Sequence, residues 1–293
     1  MLRNILVIIA AATLLAGGGR AESRVKNTKL ESGMAAVNGT RLYYEVQGEG
    51  LSIVLIHGGL VDRRMWDDQF EVFAKTNRVV RYDLRGYEKS DRPTVAFSHV
   101  EDLYQLLKFL KIQKAALIGL SLGGQIALDF TLEHPEMVEA LIPVSSSMTG
   151  FPFKSLAEFT AQHKNVANLT QAGKQDEAVE ALLKMSYFIP YVQGSDIQKR
   201  MRPMLKDNLT TWMAPTATQW PAPTAYERLE KIAVPTLIIV GDKDTSAILD
   251  CDEYMARKIP GARKIVIPDT AHHLNMEKPA EFNRIVLDFL NRR

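Results

Sequence analysis

The stretch that most restricts the fold is Ala115-Ala-Leu-Ile-Gly-Leu-Ser-Leu-Gly-Gly-Gln-Ile-Ala-Leu-Asp129. It opens as a short apolar run suited to a buried strand. From Gln125 to His134, Ile126, Ala127 and Phe130 recur at helical spacing. Between the two stands Gly119-Leu120-Ser121-Leu122-Gly123. A serine on so sharp a strand-to-helix turn holds a strained backbone, and only small residues two positions to either side let strand and helix pack that closely. The turn lifts the hydroxyl clear of the sheet and aims the first free helical N–H groups at the atom it attacks.

The flanking chain alternates strands and helices. Met34 to Val46 reads as two strands joined at Asn38-Gly39, a strong hairpin signal. Ser52 to Ile56 is a continuous apolar run, hence a strand buried on both faces. Trp66 to Lys75 predicts a helix, Arg78 to Tyr82 a strand, and Val100 to Leu110 a helix with Ser98 as N-cap. Val138 to Val144 follows the elbow as a strand. After residue 226 come a strand at Pro235–Val240, a helix at Cys251–Ile259, a strand at Arg263–Ile267 and a helix at Pro279–Leu290. Such alternation implies an α/β fold with a mostly parallel sheet covered on both faces. From 148 to 226 strand signals vanish, and Phe159, Tyr187, Phe188, Met201, Met204, Trp212 and Met213 recur among helical segments. That region is expected to be an inserted helical cap, with the core formed by 32–147 and 227–293.

At 293 residues one large core with an insertion is sufficient, and 46% hydrophobic with 24% charged residues is ordinary for a globular chain. Met1 to Asn4 is positive, Ile5 to Ala16 is apolar, and Gly19-Arg-Ala21 offers small residues at a signal-peptidase site. Residues 1–21 are therefore read as a signal peptide, and the mature protein as exported, periplasmic or secreted, without a stable membrane anchor. The net charge of +2 is small, and loss of Arg3 and Arg20 would bring the two signs level. Nothing in that balance suggests a nucleic-acid partner. The single cysteine, Cys251, excludes an intramolecular disulfide and a thiolate metal cluster.

In a parallel sheet the chemistry lies beyond the carboxyl ends of the strands. A serine hydroxyl needs an adjacent base, and the base an acid that fixes its tautomer. Of six histidines, His272 and His273 follow the Arg263–Ile267 strand, where a base must stand. His57 ends an earlier strand and reads as a hydrogen-bonded scaffold residue. Gly241-Asp-Lys-Asp244 follows the strand ending at Val240 and offers two carboxylates, Asp242 and Asp244. A metal pair at His272-His273 is disfavoured, because adjacent side chains diverge and no E-x-x-H spacing accompanies them. Asp83 and Arg85 are expected to pair with each other and stiffen their turn.

These motifs together resemble the α/β-hydrolase superfamily, in its cap-bearing branch of esterases, enol-lactonases, carbon–carbon bond hydrolases and cofactor-free perhydrolases. His57-Gly-Gly is similar to the family's oxyanion loop, with Trp66 where the family often has Trp. Asp83-Leu-Arg-Gly-Tyr resembles its D-x-R-G-[YF]-G-x-S turn, and Gly241-Asp-Lys-Asp its acid loop. Ala271-His-His-Leu-Asn-Met-Glu-Lys-Pro resembles its G-H-x4-E-x-P stretch. The resemblance implies Ser121 as nucleophile, Asp244 as acid, His272 as base, and the N–H groups of Gly59 and Leu122 as oxyanion hole. Asp242 would be a loop residue. Two positions depart from the pattern. Glu88 replaces a glycine, so a different backbone path is expected there, and Ala271 replaces the glycine before the base.

The expected activity is hydrolysis of a small carboxylic ester or lactone through an acyl-enzyme, without cofactor or metal. Carbon–carbon hydrolysis, perhydrolysis and a ligand-sensing role use the same residues. Exported protein is expected to begin close to Glu22; N-terminal sequencing checks this, and a mature chain starting at Met1 would exclude cleavage.

Overall fold

The computed structural model describes residues 29–154, 156–190, 196–211 and 218–292, so the expected signal peptide lies outside them. Eight strands form one sheet in the order β1-β2-β4-β3-β5-β6-β7-β8. β1 (Glu31–Val37) and β2 (Thr40–Gln47) are the antiparallel hairpin, and β2 pairs antiparallel with β4 (Arg78–Tyr82). Asn38 and Gly39 both have positive φ, 46° and 67°, as a two-residue hairpin turn of matching twist requires. β3 (Ser52–Ile56), β5 (Ala115–Leu120), β6 (Val138–Val144), β7 (Leu237–Gly241) and β8 (Arg263–Ile267) run parallel.

The two-residue period of β3 explains both layers. Ile53 and Leu55 face a core with Trp66, Phe73 and Phe282, while Val54 and Ile56 face a second core with Leu103, Phe130 and Met255. The first layer is α1 (Asp67–Ala74) and α9 (Pro279–Asn291); the second is α2 (His99–Phe109), α3 (Leu122–Glu133) and α7 (Ser246–Lys258). Each fully buried large apolar side chain contributes roughly 1.5–3 kcal/mol. Ser98 caps α2, its hydroxyl accepting from the Glu101 N–H. Between β6 and β7 lie α4 (Leu156–Gln171), α5 (Gln175–Leu183) and α6 (Ile197–Asn208). Met201 and Met204 pack inside this layer, whose apolar interior is continuous with the α1/α9 core. The side chains of Phe159, Trp212 and Met213 lie outside what is described.

Several expectations need correction. α7 starts at Ser246, five residues before Cys251, because Thr245 is its N-cap and hides the start inside a polar run. The helix expected from Trp66 is a 3-10 turn (Arg63–Trp66) followed by α1, and a short α8 (Leu274–Glu277) was not anticipated. Glu88 keeps a positive φ of 33°, so the loop stays in the region glycine favours rather than leaving it.

Asp83 and Arg85 do not pair with each other. Asp83 accepts from Arg63 at 2.8 Å, and Arg63 also meets Glu45 at 2.9 Å. Arg85 reaches Asp102 of α2 at 2.9 Å and the Asn38 carbonyl at 2.8 Å, tying turn, helix and hairpin together. Both members of the Arg85–Asp102 pair are buried. Removing one leaves an uncompensated charge in the interior, at a cost of about 3–5 kcal/mol. Arg85→Met is therefore expected to lower unfolding free energy by that amount in denaturant titration, and Arg85→Met/Asp102→Leu to recover part of it.

Candidate active site

The elbow is built as its residue types demand. Ser121 sits between β5 and α3 at φ 54° and ψ −113°, a conformation that costs on the order of 1–3 kcal/mol for a non-glycine residue. The surroundings hold it there. Its N–H donates to the Val144 carbonyl at 3.0 Å, and its carbonyl accepts from the Ser147 N–H at 3.4 Å. A Cβ on Gly119 would stand 2.1 Å from the Gly123 carbonyl oxygen, and one on Gly123 would stand 2.1 Å from that of Ile56. Only hydrogen at those positions lets the first turn of α3 rest against β5 and β3.

The candidate acid and base stand beyond the ends of β7 and β8. Asp244, three residues beyond β7, accepts from His272 Nδ1 at 2.9 Å through Oδ2 and 3.1 Å through Oδ1. The Thr245 N–H donates to Asp244 Oδ1 at 2.7 Å and fixes the carboxylate. A carboxylate at Nδ1 leaves Nε2 as the ring's acceptor. The other candidates are otherwise engaged. His273 is bonded through Nδ1 to the Tyr187 carbonyl at 3.0 Å and stacked on Phe188, and burial holds it well below the ordinary imidazole pKa. Asp242 takes a hydrogen bond from Lys243 at 2.7 Å, which keeps its carboxyl below the usual range, and meets no histidine. Ala271, which stands before the candidate base, donates its N–H to Glu277 Oε1 at 2.9 Å.

His57 is a scaffold residue. Nδ1 donates to the Gly58 carbonyl at 2.8 Å, while Nε2 accepts from the Leu84 N–H at 3.0 Å. Burial pulls it down to about 4, so it stays neutral at physiological pH. The bond to Leu84 joins the Gly58–Leu60 loop to the Asp83–Asp91 turn. Two residues that the sequence did not flag extend the scaffold. Asn208, the last residue of α6, donates to Asp62 Oδ2 at 3.0 Å and accepts from the Glu88 N–H at 2.8 Å. Asp252 of α7, wholly buried, accepts from the Ser146 N–H at 3.3 Å beside the elbow, and burial pushes its carboxyl well up. Neither belongs to a local motif, and their partners are more than 100 residues away in the chain.

Ser121, His272, Gly59 and Leu122 line one cavity of about 380 Å3. Among the described residues, the Ser121 hydroxyl and the His272 ring share its wall without a hydrogen bond between them, a looseness common where no substrate draws such groups together. The remaining wall is largely apolar: Leu60, Leu120, Phe153, Met185, Phe188 and Ile248, with Tyr87, Tyr187, Ser147, His163 and His273 as polar members. No Lys, Arg, Asp or Glu of the described chain lines it. By sequence, neither Lys nor Arg occurs at positions 155–159, 162, 191–195 or 212–217.

Comparison with known proteins identifies the family. A curated 2-hydroxy-6-oxononadienedioate/2-hydroxy-6-oxononatrienedioate hydrolase of Burkholderia vietnamiensis is 30% identical over 268 residues, covering 86% of this chain and 91% of its own. Carboxylesterase YbfK of Bacillus subtilis is 26% identical over 251 residues, covering 82% and 80%. The crystal structure of the enol-lactonase from Burkholderia xenovorans LB400 superposes with a TM-score of 0.72 at 26% identity, over 88% of this chain and all of that one. The sequence profile of the alpha/beta hydrolase fold matches residues 52–279. The chain is a member of the α/β-hydrolase fold family.

Proposed function

We propose that the protein is a serine hydrolase of uncharged carboxylic esters or lactones, acting through an acyl-enzyme on Ser121. The observation that carries this reading is the Asp244–His272 contact at 2.9 Å on the wall of the cavity that Ser121 also lines. His272 takes the serine proton as Ser121 attacks the carbonyl, and Asp244 stabilises the imidazolium that forms. The N–H groups of Leu122 and Gly59 receive the oxyanion, each worth roughly 3 kcal/mol when aligned. His272 then protonates the leaving alcohol and activates water against the acyl-enzyme.

The cavity wall supports esters and lactones over the dioates named for the Burkholderia vietnamiensis relative. A dioate carries two carboxylates, and burying a carboxylate without a cationic or dense hydrogen-bonding partner is strongly unfavourable. Among the described residues this wall provides no Lys or Arg. A carboxylesterase and an enol-lactonase among the similar proteins are consistent with that choice. Sustained turnover of p-nitrophenyl acetate is expected; a single burst or none would instead favour a ligand-sensing role.

Two further outcomes follow. Ser121→Ala is expected to abolish covalent labelling by a fluorophosphonate, with mass spectrometry showing no transfer of the label to another residue. Asp244→Asn is expected to reduce turnover by about 10⁴, as loss of the tautomer-fixing carboxylate does in this mechanism. Asp242→Asn is expected to change it by less than about tenfold, given its place outside the contact.

A further inference from the structure

The short turn Ser186–Phe188 of the insertion meets the acid–base pair through Tyr187. The phenol ring makes a T-shaped contact with the His272 imidazole, 5.0 Å between centroids at 72°. Its hydroxyl is hydrogen-bonded to the Thr245 side chain. Thr245 is the residue whose N–H holds Asp244 Oδ1 at 2.7 Å, and Asp244 Oδ2 holds His272 Nδ1 at 2.9 Å. The contacts therefore close a circle, from Tyr187 through Thr245, Asp244 and His272 back to the Tyr187 ring. A second path runs through the backbone. The Tyr187 carbonyl accepts from His273 Nδ1 at 3.0 Å, and the His273 ring packs edge to face on His272 at 5.3 Å.

The Asp244 carboxylate fixes where one edge of the imidazole lies, but not the tilt of the ring about that bond. A base that takes a proton from a serine must present its free nitrogen in a set direction, and small misplacements cost much in rate. T-shaped ring contacts are directional, so the two rings against His272 supply the constraint that the carboxylate lacks. We infer that Tyr187 is a positioning residue of the proton-transfer pair: its ring sets the tilt of the His272 imidazole, and its hydroxyl holds the acid loop at Thr245. The inference rests on the Ser121–His272–Asp244 reading above. Tyr187 also lines the cavity, where a substitution can act on substrate binding as well. Kinetics separate the two roles, because a contact to bound substrate moves KM and a positioning contact moves kcat.

The test uses p-nitrophenyl acetate, whose small acyl group keeps contacts with the wall few. Tyr187→Leu is expected to lower kcat by about tenfold or more, with KM within about threefold of the wild type. Tyr187→Phe keeps the ring and loses the hydroxyl, and is expected to lower kcat about threefold. Thr245→Val removes the same hydrogen bond from its other end, so the double variant Tyr187→Phe/Thr245→Val is expected to match Thr245→Val alone. Losses that multiply, or a raised KM with kcat kept, would overturn the inference. One readout needs no turnover. The His272 Nδ1 proton, assigned by its absence in His272→Gln, is expected as a slowly exchanging downfield resonance in the proton NMR spectrum of the wild type. In Tyr187→Leu it is expected to be lost to exchange with solvent. An unchanged resonance in that variant, or its absence from the wild type, overturns the inference. Should Tyr187→Leu not fold, the Tyr187→Phe and Thr245→Val cycle decides alone. A wild type that turns over no ester counts against the hydrolase reading, and the resonance still decides the role of Tyr187.

Discussion

The backbone of Ser121 is held at a positive φ by contacts that leave no room for alternatives, and the rest of the site is arranged around that point. The strain is small beside the interactions that maintain it. Parallel pairing on both sides of β5 fixes the strand end, the hydrogen bonds to Val144 and Ser147 fix the turn, and the absent Cβ of Gly123 lets α3 meet the carbonyl of Ile56. Because β3 ends at that same carbonyl, the next residues, His57 to Leu60, are delivered beside the serine by the same close approach. The proposed nucleophile and the proposed oxyanion loop are therefore products of one packing contact.

The strands were legible because their chemistry is local: the apolar runs of β3, β5 and β7 and the Asn38-Gly39 turn each carry their own signal. The elbow was legible for the same reason, since glycine at 119 and 123 answers a steric demand set a few residues away. Polar partnerships were read less well. Asp83 and Arg85, two positions apart, invited a mutual ion pair, yet each is satisfied by a residue brought in by the fold, Arg63 and Asp102. The start of α7 was missed because Thr, Ser and Asp favour both loops and helix caps, and only the bond from Ile248 to the Thr245 hydroxyl decides between them. Glu88 occupies a glycine conformation where its N–H meets Asn208 and its carboxylate meets Arg63 at 3.3 Å, contacts that follow from tertiary proximity. Motif spacing favours His272 over His273, and it is His272 that meets the Asp244 carboxylate. The two rings lie edge to face at 5.3 Å and both line the cavity, but His272 Nδ1 meets Asp244 while His273 Nδ1 meets the Tyr187 carbonyl.

The inserted helices bear on the site through few but buried polar contacts. Asn208 bonds simultaneously to the Asp62 side chain and the Glu88 backbone, so the end of α6 is referenced to the segment just after the oxyanion loop and to the turn that carries Tyr87. Arg64 adds a bond to Asp62 at 2.7 Å and one to Asp207 at 2.7 Å. At the other side of the cavity the Tyr187 carbonyl is bonded to His273, immediately after the proposed base. The wall contributed by the insertion is thereby registered against both halves of the candidate site's rim, where Met185, Tyr187 and Phe188 line the same cavity as Ser121.

Low polarity of that wall has two consequences that point the same way. In the proposed reaction, away from water, the Asp244 carboxylate would act on the imidazolium of His272 with less screening, and N–H donors on a developing oxyanion with more force than in solvent. The same environment opposes entry of a charged substrate, since its hydration is lost and no Lys or Arg among the described residues of the wall replaces it. A neutral carbonyl compound loses little on entry and acquires charge only at the carbonyl oxygen, where fixed donors would meet it. Selection for uncharged esters or lactones and stabilisation of the transition state are, on this view, one property of the cavity, and introducing a lysine to admit a carboxylate would weaken the second in creating the first.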